Sequence, residues 1–233
     1  MKNLFTFCLI LFTITSCSSQ SKGTERTRTL KVSDFSKLDL GSAFKINVEQ
    51  GSSYRVTVTG KEDDLDDLEY GVSRGKLRIG YKNNSWTKNR QSIQVEITMP
   101  NLDGVDFSGA CNAKVKGFRN GRGMAIEVSG ASRVEMDFSA DKVFVDLSGA
   151  SRLTLMGRGE NLEGEMSGAS TFNGKDFPVK EANIEASGAS NASVVANSAL
   201  QADASGASSI RYSGSVSQVR SSSSGAGSVR REN

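Results

Sequence analysis

Histidine is absent from this 233-residue chain. Its absence excludes Ser-His-Asp and Cys-His catalysis, imidazole metal ligands and histidine-based pH sensing. Proline is nearly absent, with only Pro100 and Pro178, and tryptophan occurs once, at Trp86. Neither charge sign dominates: 29 basic and 26 acidic residues leave a net charge of +3. A strongly basic surface of the kind that grips nucleic acid is therefore excluded. No apolar run reaches the roughly 20 residues that a membrane-spanning helix needs. Disorder is not indicated either. The apolar fraction of 36% and the 24 glycines together make about 46%, ordinary for a globular chain. The length allows one domain or two small ones.

Cysteine is also scarce, at positions 8, 17 and 111, and the N-terminus accounts for two of the three. Met1-Lys2-Asn3 is a short positive start, and Leu4 to Ile14 is an eleven-residue apolar stretch. That pattern reads as a secretory signal peptide. Ile14-Thr15-Ser16-Cys17 then resembles a bacterial lipobox. The resemblance implies cleavage before Cys17 and acylation of its thiol. Residues 1–16 are thus expected to be a lipoprotein signal, and residues 17–29, polar and without pattern, a flexible tether. The mature chain, lacking Lys2, would carry a net charge of +2, since residues 1–16 hold no other charge. Cys111 remains alone, so no intrachain disulfide and no thiolate zinc site can form. No cofactor is implied. The partners implied are a membrane, through the lipid, and no nucleic acid. The expected location is the bacterial cell envelope, at the outer membrane.

What the second half does contain is a repeat. Ser-Gly-Ala recurs with its glycine at 109, 130, 149, 168, 188, 206 and 225. A period near 19 over seven copies marks a repeat architecture. The flanks alternate with period two, as in Val143-Phe144-Val145-Asp146-Leu147, which is a strand pattern. Nineteen extended residues cover roughly 60 Å, a closed coil of two or three short strands. The chain is therefore predicted to be all-β: a β-solenoid of roughly 19-residue coils stacked about 4.8 Å apart.

Alignment on the glycine assigns the faces. Two residues before it stand Phe107, Val128, Leu147, Met166, Ala186, Ala204 and Ser223. Four before and four after are likewise apolar or small, so the even offsets are predicted to face inward. Two after stand Cys111, Ser132, Ser151, Ser170, Ser190, Ser208 and Gly227. This predicts a buried serine stack sharing hydroxyl hydrogen bonds along the axis, with Cys111 as a buried filler.

Three residues before the glycine, facing outward, stand Asp106, Glu127, Asp146, Glu165, Glu185 and Asp203. The simpler reading is a solvated face that keeps the solenoid soluble. The sharper one is a track for cations or a cationic ligand, since hard cations take several carboxylate oxygens. Three after the glycine, Arg133 and Arg152 are placed where they can pair with neighbouring acids. The inward columns shrink toward the C-terminus, so the last coils either fray or are covered by another chain. A homo-oligomer is one such arrangement.

Residues 30–100 lack the tripeptide yet alternate as strands. Ala43 to Gly51 and Tyr54 to Gly60 are two of them, joined by Gln50-Gly51-Ser52-Ser53 as in a hairpin. Leu65 and Leu68 suggest one helical turn or a tight loop. The order of elements resembles the head GIN domain family, whose other name is auto-transporter adhesin. The matching residues are Phe35-Ser36-Lys37-Leu38, Phe44 to Gly51, Tyr54 to Val58, Gly75 to Ile79, and Val95 to Leu102, followed by Ser108-Gly109. The resemblance covers about residues 30–230 and implies a single-stranded right-handed β-helix of the pectate-lyase-like class. It brings no catalytic residues. The whole of 30–233 is expected to be one such domain, with Ser-Gly-Ala repeats over 105–229.

The segment Tyr81 to Gln91 stands apart, with three basic residues, three asparagines and Trp86. That is the composition of a sugar- or anion-binding loop, and equally of a long polar connection. The functional expectation is non-enzymatic: a lipid-anchored envelope protein whose β-helix meets a glycan or an envelope protein. A structural or envelope-assembly role is the alternative. A polysaccharide-acting enzyme is less favoured, because intervals of 18 to 21 residues leave little room for the inserted loops that build a cleft.

Overall fold

The computed structural model describes residues 25–82 and 90–232. The N-terminal strands are β1 (Glu25–Leu30), β2 (Lys37–Leu40), β3 (Lys45–Gln50) and β4 (Arg55–Lys61). A short helix α1 (Glu62–Asp66) leads to β5 (Leu68–Ser73), β6 (Lys76–Tyr81), β7 (Gln94–Met99) and β8 (Gly104–Phe107). Five long strands follow: β9 (Asn112–Val128), β10 (Arg133–Leu147), β11 (Arg152–Met166), β12 (Thr171–Ala186) and β13 (Asn191–Ala204). The last coils are β14 (Ser209–Ser213), β15 (Gln218–Ser223) and β16 (Ser228–Arg231).

Each long strand lies parallel to the next and pairs with it at both ends, with bulges midway in three of the four pairs. Arg133 pairs with Arg152 and Leu147 with Met166; Thr171 pairs with Asn191 and Ala186 with Ala204. One repeat is one coil, and the fold is a β-solenoid of about seven turns. Parallel strands of this kind need a long crossover, and here the rest of the coil supplies it.

The glycine turns set the register. Gly149 has φ +70, and a Cβ there would lie 2.6 Å from the Gly130 carbonyl oxygen. That same oxygen accepts the Ala150 N–H at 2.7 Å. Only a residue without a side chain lets one turn sit this close on the next. The bond recurs from coil to coil, for example Ala169 to Gly149 at 2.8 Å and Ala189 to Gly168 at 2.7 Å.

The inward columns are as the alternation predicts. Phe107, Val128, Leu147, Met166, Ala186 and Ala204 are all buried, as are Ala113, Val134, Leu153, Phe172, Ala192 and Ile210. The serine column is buried too, but its bonding differs from the predicted chain of hydroxyls. Ser190 Oγ donates to the Ser187 carbonyl at 2.8 Å, and Ser208 Oγ to the Ala186 carbonyl at 2.9 Å. Ser151 and Ser170 hydroxyls have no partner. The coil corner points carbonyls inward, and a short side chain reaches these before it reaches the serine above. Cys111 fills the column's first place, with its thiol 3.0 Å from the Ser42 carbonyl and 3.1 Å from that of Ser108.

The first half corrects two expectations. Strands β3 and β4 are not a hairpin. Strand β7 lies between them, parallel to β3 and antiparallel to β4. The chain does reverse between β3 and β4, but the two arms stand one strand apart and β7 fills the gap, with the Gly51 N–H bonded to the Met99 carbonyl at 3.0 Å. The hairpin is β5–β6, where Arg74 and Gly75 both have positive φ, the conformation of a tight two-residue turn. The expectation of a tether without structure over 17–29 fails for its last five residues. Residues from Glu25 form β1, paired antiparallel with β4. Its threonines suit a strand, and Thr27 Oγ1 lies 2.8 Å from Thr59 Oγ1; only Leu30 is buried, so no apolar alternation marked it. The helical turn expected near Leu65 is α1, with Leu65 and Leu68 buried.

Candidate ligand-binding face

The corner turn divides the outer wall into two flanks. On one flank the six predicted carboxylates form one continuous row. Asp106 pairs with Glu127, Glu127 with Asp146, Asp146 with Glu165, Glu165 with Glu185, and Glu185 with Asp203. The structure adds Asp39 to the start of this row, beside Asp106. Its neighbour on the far side is Arg78, which donates to Asp39 Oδ2 through Nε at 2.9 Å and Nη2 at 2.7 Å. The row ends where Asp203 meets Ser222. The alternation of the coils made the six legible. Asp39 was missed because it precedes the first Ser-Gly-Ala copy, so no glycine aligned it.

The row is not uniform electrostatically. Asp106 is half-buried, and its carboxyl is pushed above the ordinary range by that burial, then by Asp39 and Glu127 beside it. Farther along, Asp146, Glu165, Glu185 and Asp203 edge an open groove of about 250 Å³ with Ser167, Ser187 and Ser205. The carboxylates line up along it and do not converge. Among the described residues no group of three or more Asp, Glu or Cys side chains is placed to hold a metal ion. The face offers a line of acceptors for an extended, cationic or hydroxylated ligand, not a chelating pocket.

The other flank carries Asn112, Arg133, Arg152, Thr171 and Asn191 in one row. The pairing of Arg133 and Arg152 with neighbouring acids does not occur. Glu135 lies against Lys114 at 3.7 Å and Asp137 against Arg119 at 2.8 Å, so the nearest carboxylates on this wall are engaged elsewhere. Arg133, Arg152, Asn112 and Thr171 border a second open groove, of about 280 Å³.

Cys111 is no nucleophile in this setting. It is buried, and burial pushes its thiol up to about 11. Two candidate residues, Cys17 and Trp86, lie outside the described residues. Among the described residues that flank Trp86 in sequence, Tyr81 has its ring under the Arg90 guanidinium, 4.0 Å from the ring centroid. Arg90 also reaches Asp67 at 3.3 Å. Burial, with Asp64 nearby, pushes the Tyr81 hydroxyl up to about 12.

The family model described as "Putative auto-transporter adhesin, head GIN domain" matches residues 34–230. The chain belongs to the head GIN domain family. No curated relative matches it. Solved structures of similar fold include a "putative adhesin" from Bacteroides fragilis, 20% identical, with a TM-score of 0.85 over 90% of this chain and 97% of that one. A "putative lipid binding protein" from Parabacteroides distasonis is 19% identical, with a TM-score of 0.75 over 91% and 98%. A "putative adhesin" from Parabacteroides merdae is 18% identical, with a TM-score of 0.68 over 91% and 98%. At these identities the likeness is one of fold. As a head GIN domain, the chain is adhesin-like by family.

Proposed function

We propose that this protein is a lipid-anchored adhesin of the bacterial envelope, held to the outer membrane through Cys17, that acts by presenting its solenoid wall and not by catalysis. The observation that carries this reading is the wall's continuity. From β9 to β13 every coil pairs with the next at both ends of its strands, and no loop stands out between coils to enclose a substrate. Without a cleft, water cannot be excluded from a reacting group, and general acid–base or electrostatic catalysis loses its main lever. A flat, ordered array of side chains suits recognition of something long. The acidic flank, Asp106 to Asp203, is the face assigned to a glycan or envelope-protein ligand, with Trp86 as a second contact. Screening residues 18–233 against polysaccharides, with calcium and then with chelator, tests this. Selective binding that falls on charge removal at Asp146, Glu165 and Glu185 supports it. Binding to no glycan and to no envelope protein after crosslinking in cells overturns it.

A structural or envelope-assembly role is the second reading. It is favoured by Tyr70 and Val72 on β5 and Val219 on β15, large apolar side chains that are exposed among the described residues on strands paired on one side only.

A further inference from the structure

The flank opposite the acidic row carries a row of its own that runs the length of the sheet. Strands β1, β4, β7, β3, β9, β10, β11, β12, β13, β14 and β16 lie side by side in that order. Each contributes one residue to a row that starts at Thr27 and ends at Ser228. No Asp or Glu stands in it. Its charged members are Lys45, Arg133 and Arg152, all exposed. Hydroxyl and amide side chains fill every other place.

The charges beside this row are matched, and its own are not. Lys114 lies 3.7 Å from Glu135, Lys116 2.9 Å from Glu49 and Arg119 2.8 Å from Asp137. Asn47 donates to Glu96 at 2.7 Å. Lys45, Arg133 and Arg152 pair with no carboxylate among the described residues. Residues 1–24 and 83–89, which lie outside the described ones, contain no Asp or Glu. No acidic side chain of this chain therefore serves these three cations. Arg133 and Arg152 are also direct neighbours in register on β10 and β11, where like charges destabilise a strand pair. Ala110, Ala131, Ala150 and Ala169 bring only methyl groups to the open groove that both arginines line, so the wall beside the two guanidiniums is low.

We infer that this row is a binding strip for a linear anionic polysaccharide, whose carboxylate or sulfate groups pair with Arg133 and Arg152. A guanidinium fork holds an oxyanion through two parallel hydrogen bonds, and an anion shared by the two arginines removes their repulsion. Asn112, Thr171 and Asn191, in the same row, offer hydrogen bonds to the sugar hydroxyls. From Lys45 to Asn191 the strip is about 24 Å long, which suits a chain and not a single small anion. Three cations over that length are too few to hold a membrane surface, where each adds little, and they do not match the closely spaced phosphates of nucleic acid. The acidic row across the corner turn repels the same polymer and confines it to this flank. The strip is separate from the acidic face assigned above, and the proposal does not rest on that assignment.

Titration of the full chain with three polymers of one backbone tests this: neutral dextran, carboxymethyl dextran and dextran sulfate. A charged polymer is expected to bind and neutral dextran not, with affinity falling as salt rises. Binding of either charged form supports the proposal, and their ratio assigns the oxyanion. Arg133→Gln with Arg152→Gln should weaken binding about tenfold or more. Arg55→Gln with Arg220→Gln removes equal charge from exposed sites off the strip and should change it less than about twofold. Arg133→Lys with Arg152→Lys keeps the charge, loses the fork, and should bind between the two. All four positions are exposed, so each variant should melt within a few degrees of the unsubstituted chain. Equal losses in the two glutamine variants would mean attraction by net charge alone and overturn the proposal. Neutral dextran bound as well as the charged forms overturns it too. So does capture by phosphatidylglycerol vesicles with both charged dextrans left unbound.

Discussion

Replacing Gly149 by alanine tests whether the stacked glycine turns hold the coils in register. Two costs add. The residue has φ +70, a left-handed conformation that costs an L-residue about 1–2 kcal/mol. The new Cβ would also lie 2.6 Å from the Gly130 oxygen, 3.1 Å from its nitrogen and 3.3 Å from its carbonyl carbon. All three are backbone atoms, so no side chain can swing away. Relief requires the two turns to part, which stretches the 2.7 Å bond from Ala150 to Gly130, worth about 0.5–1.5 kcal/mol. The expected loss is about 1.5–3.5 kcal/mol. At 3 kcal/mol, a domain of this size should melt about 6–12 °C lower. The assay is denaturant unfolding followed by circular dichroism, read as a midpoint shift at constant slope. Two companions calibrate it. Gly71→Ala meets nothing within 4 Å and should change stability by less than about 0.5 kcal/mol. Gly225→Ala, on the last turn, meets the Gly206 oxygen at 3.1 Å and should cost less than Gly149→Ala. If Gly149→Ala costs no more than Gly71→Ala, the stacked turns do not set the register.

Leu147→Asp places a carboxylate without a partner at a fully buried position and should prevent folding, while Asp146→Ala, one residue away on the wall, should leave the melting temperature within a few degrees. An unchanged melt for Leu147→Asp would contradict the inward register. Because Cys111 titrates at about 11 when folded and near 9 when unfolded, the unfolded chain loses that proton first, and stability should fall from about pH 9 to pH 11. Cys111→Ser should flatten that part of the pH profile, and a wild-type profile flat over the same range would show that the thiol is not buried. Asp106 should titrate above the ordinary aspartate range by NMR, and Asp39→Asn or Glu127→Gln should lower it without restoring it fully, since burial is the larger cause. Labelled fatty acid should be incorporated into the full chain and lost in Cys17→Ala; label retained on that variant would remove the anchor.

The coils were readable in the sequence because one constraint repeats. Each turn needs a glycine at one corner, and the strand period of two then assigns every neighbour to core or wall. Phe107 to Ala204 inside and Asp106 to Asp203 outside follow from that single alignment. The first half has no such marker, and its errors come from that lack. The stretch at Gln50 to Ser53 has the composition of a hairpin turn and does reverse the chain, but local composition cannot tell whether the two arms pair with each other or admit a third strand between them; that strand, β7, arrives more than 40 residues later. Strand β1 hides among arginines and threonines because it packs on a wall edge with one buried residue. The exposure of Tyr70 and Val219 was invisible for a different reason. Both sit on strands, and only the stack shows that no described strand lies beyond them.

The even spacing of the acidic row has an electrostatic consequence of its own. Two unit charges in water interact with an energy equal to RT at about 7 Å. Neighbours in the row are one strand apart, about 4.8 Å, and each lies well inside the roughly 8 Å Debye length of physiological salt. From Asp106 to Asp203 the wall therefore behaves as a short polyelectrolyte. It gathers a mobile sheath of counterions along its length without fixing any one of them. A cationic partner that lies down on this flank releases that sheath, so its affinity should be driven by ion entropy and fall steeply as salt is raised.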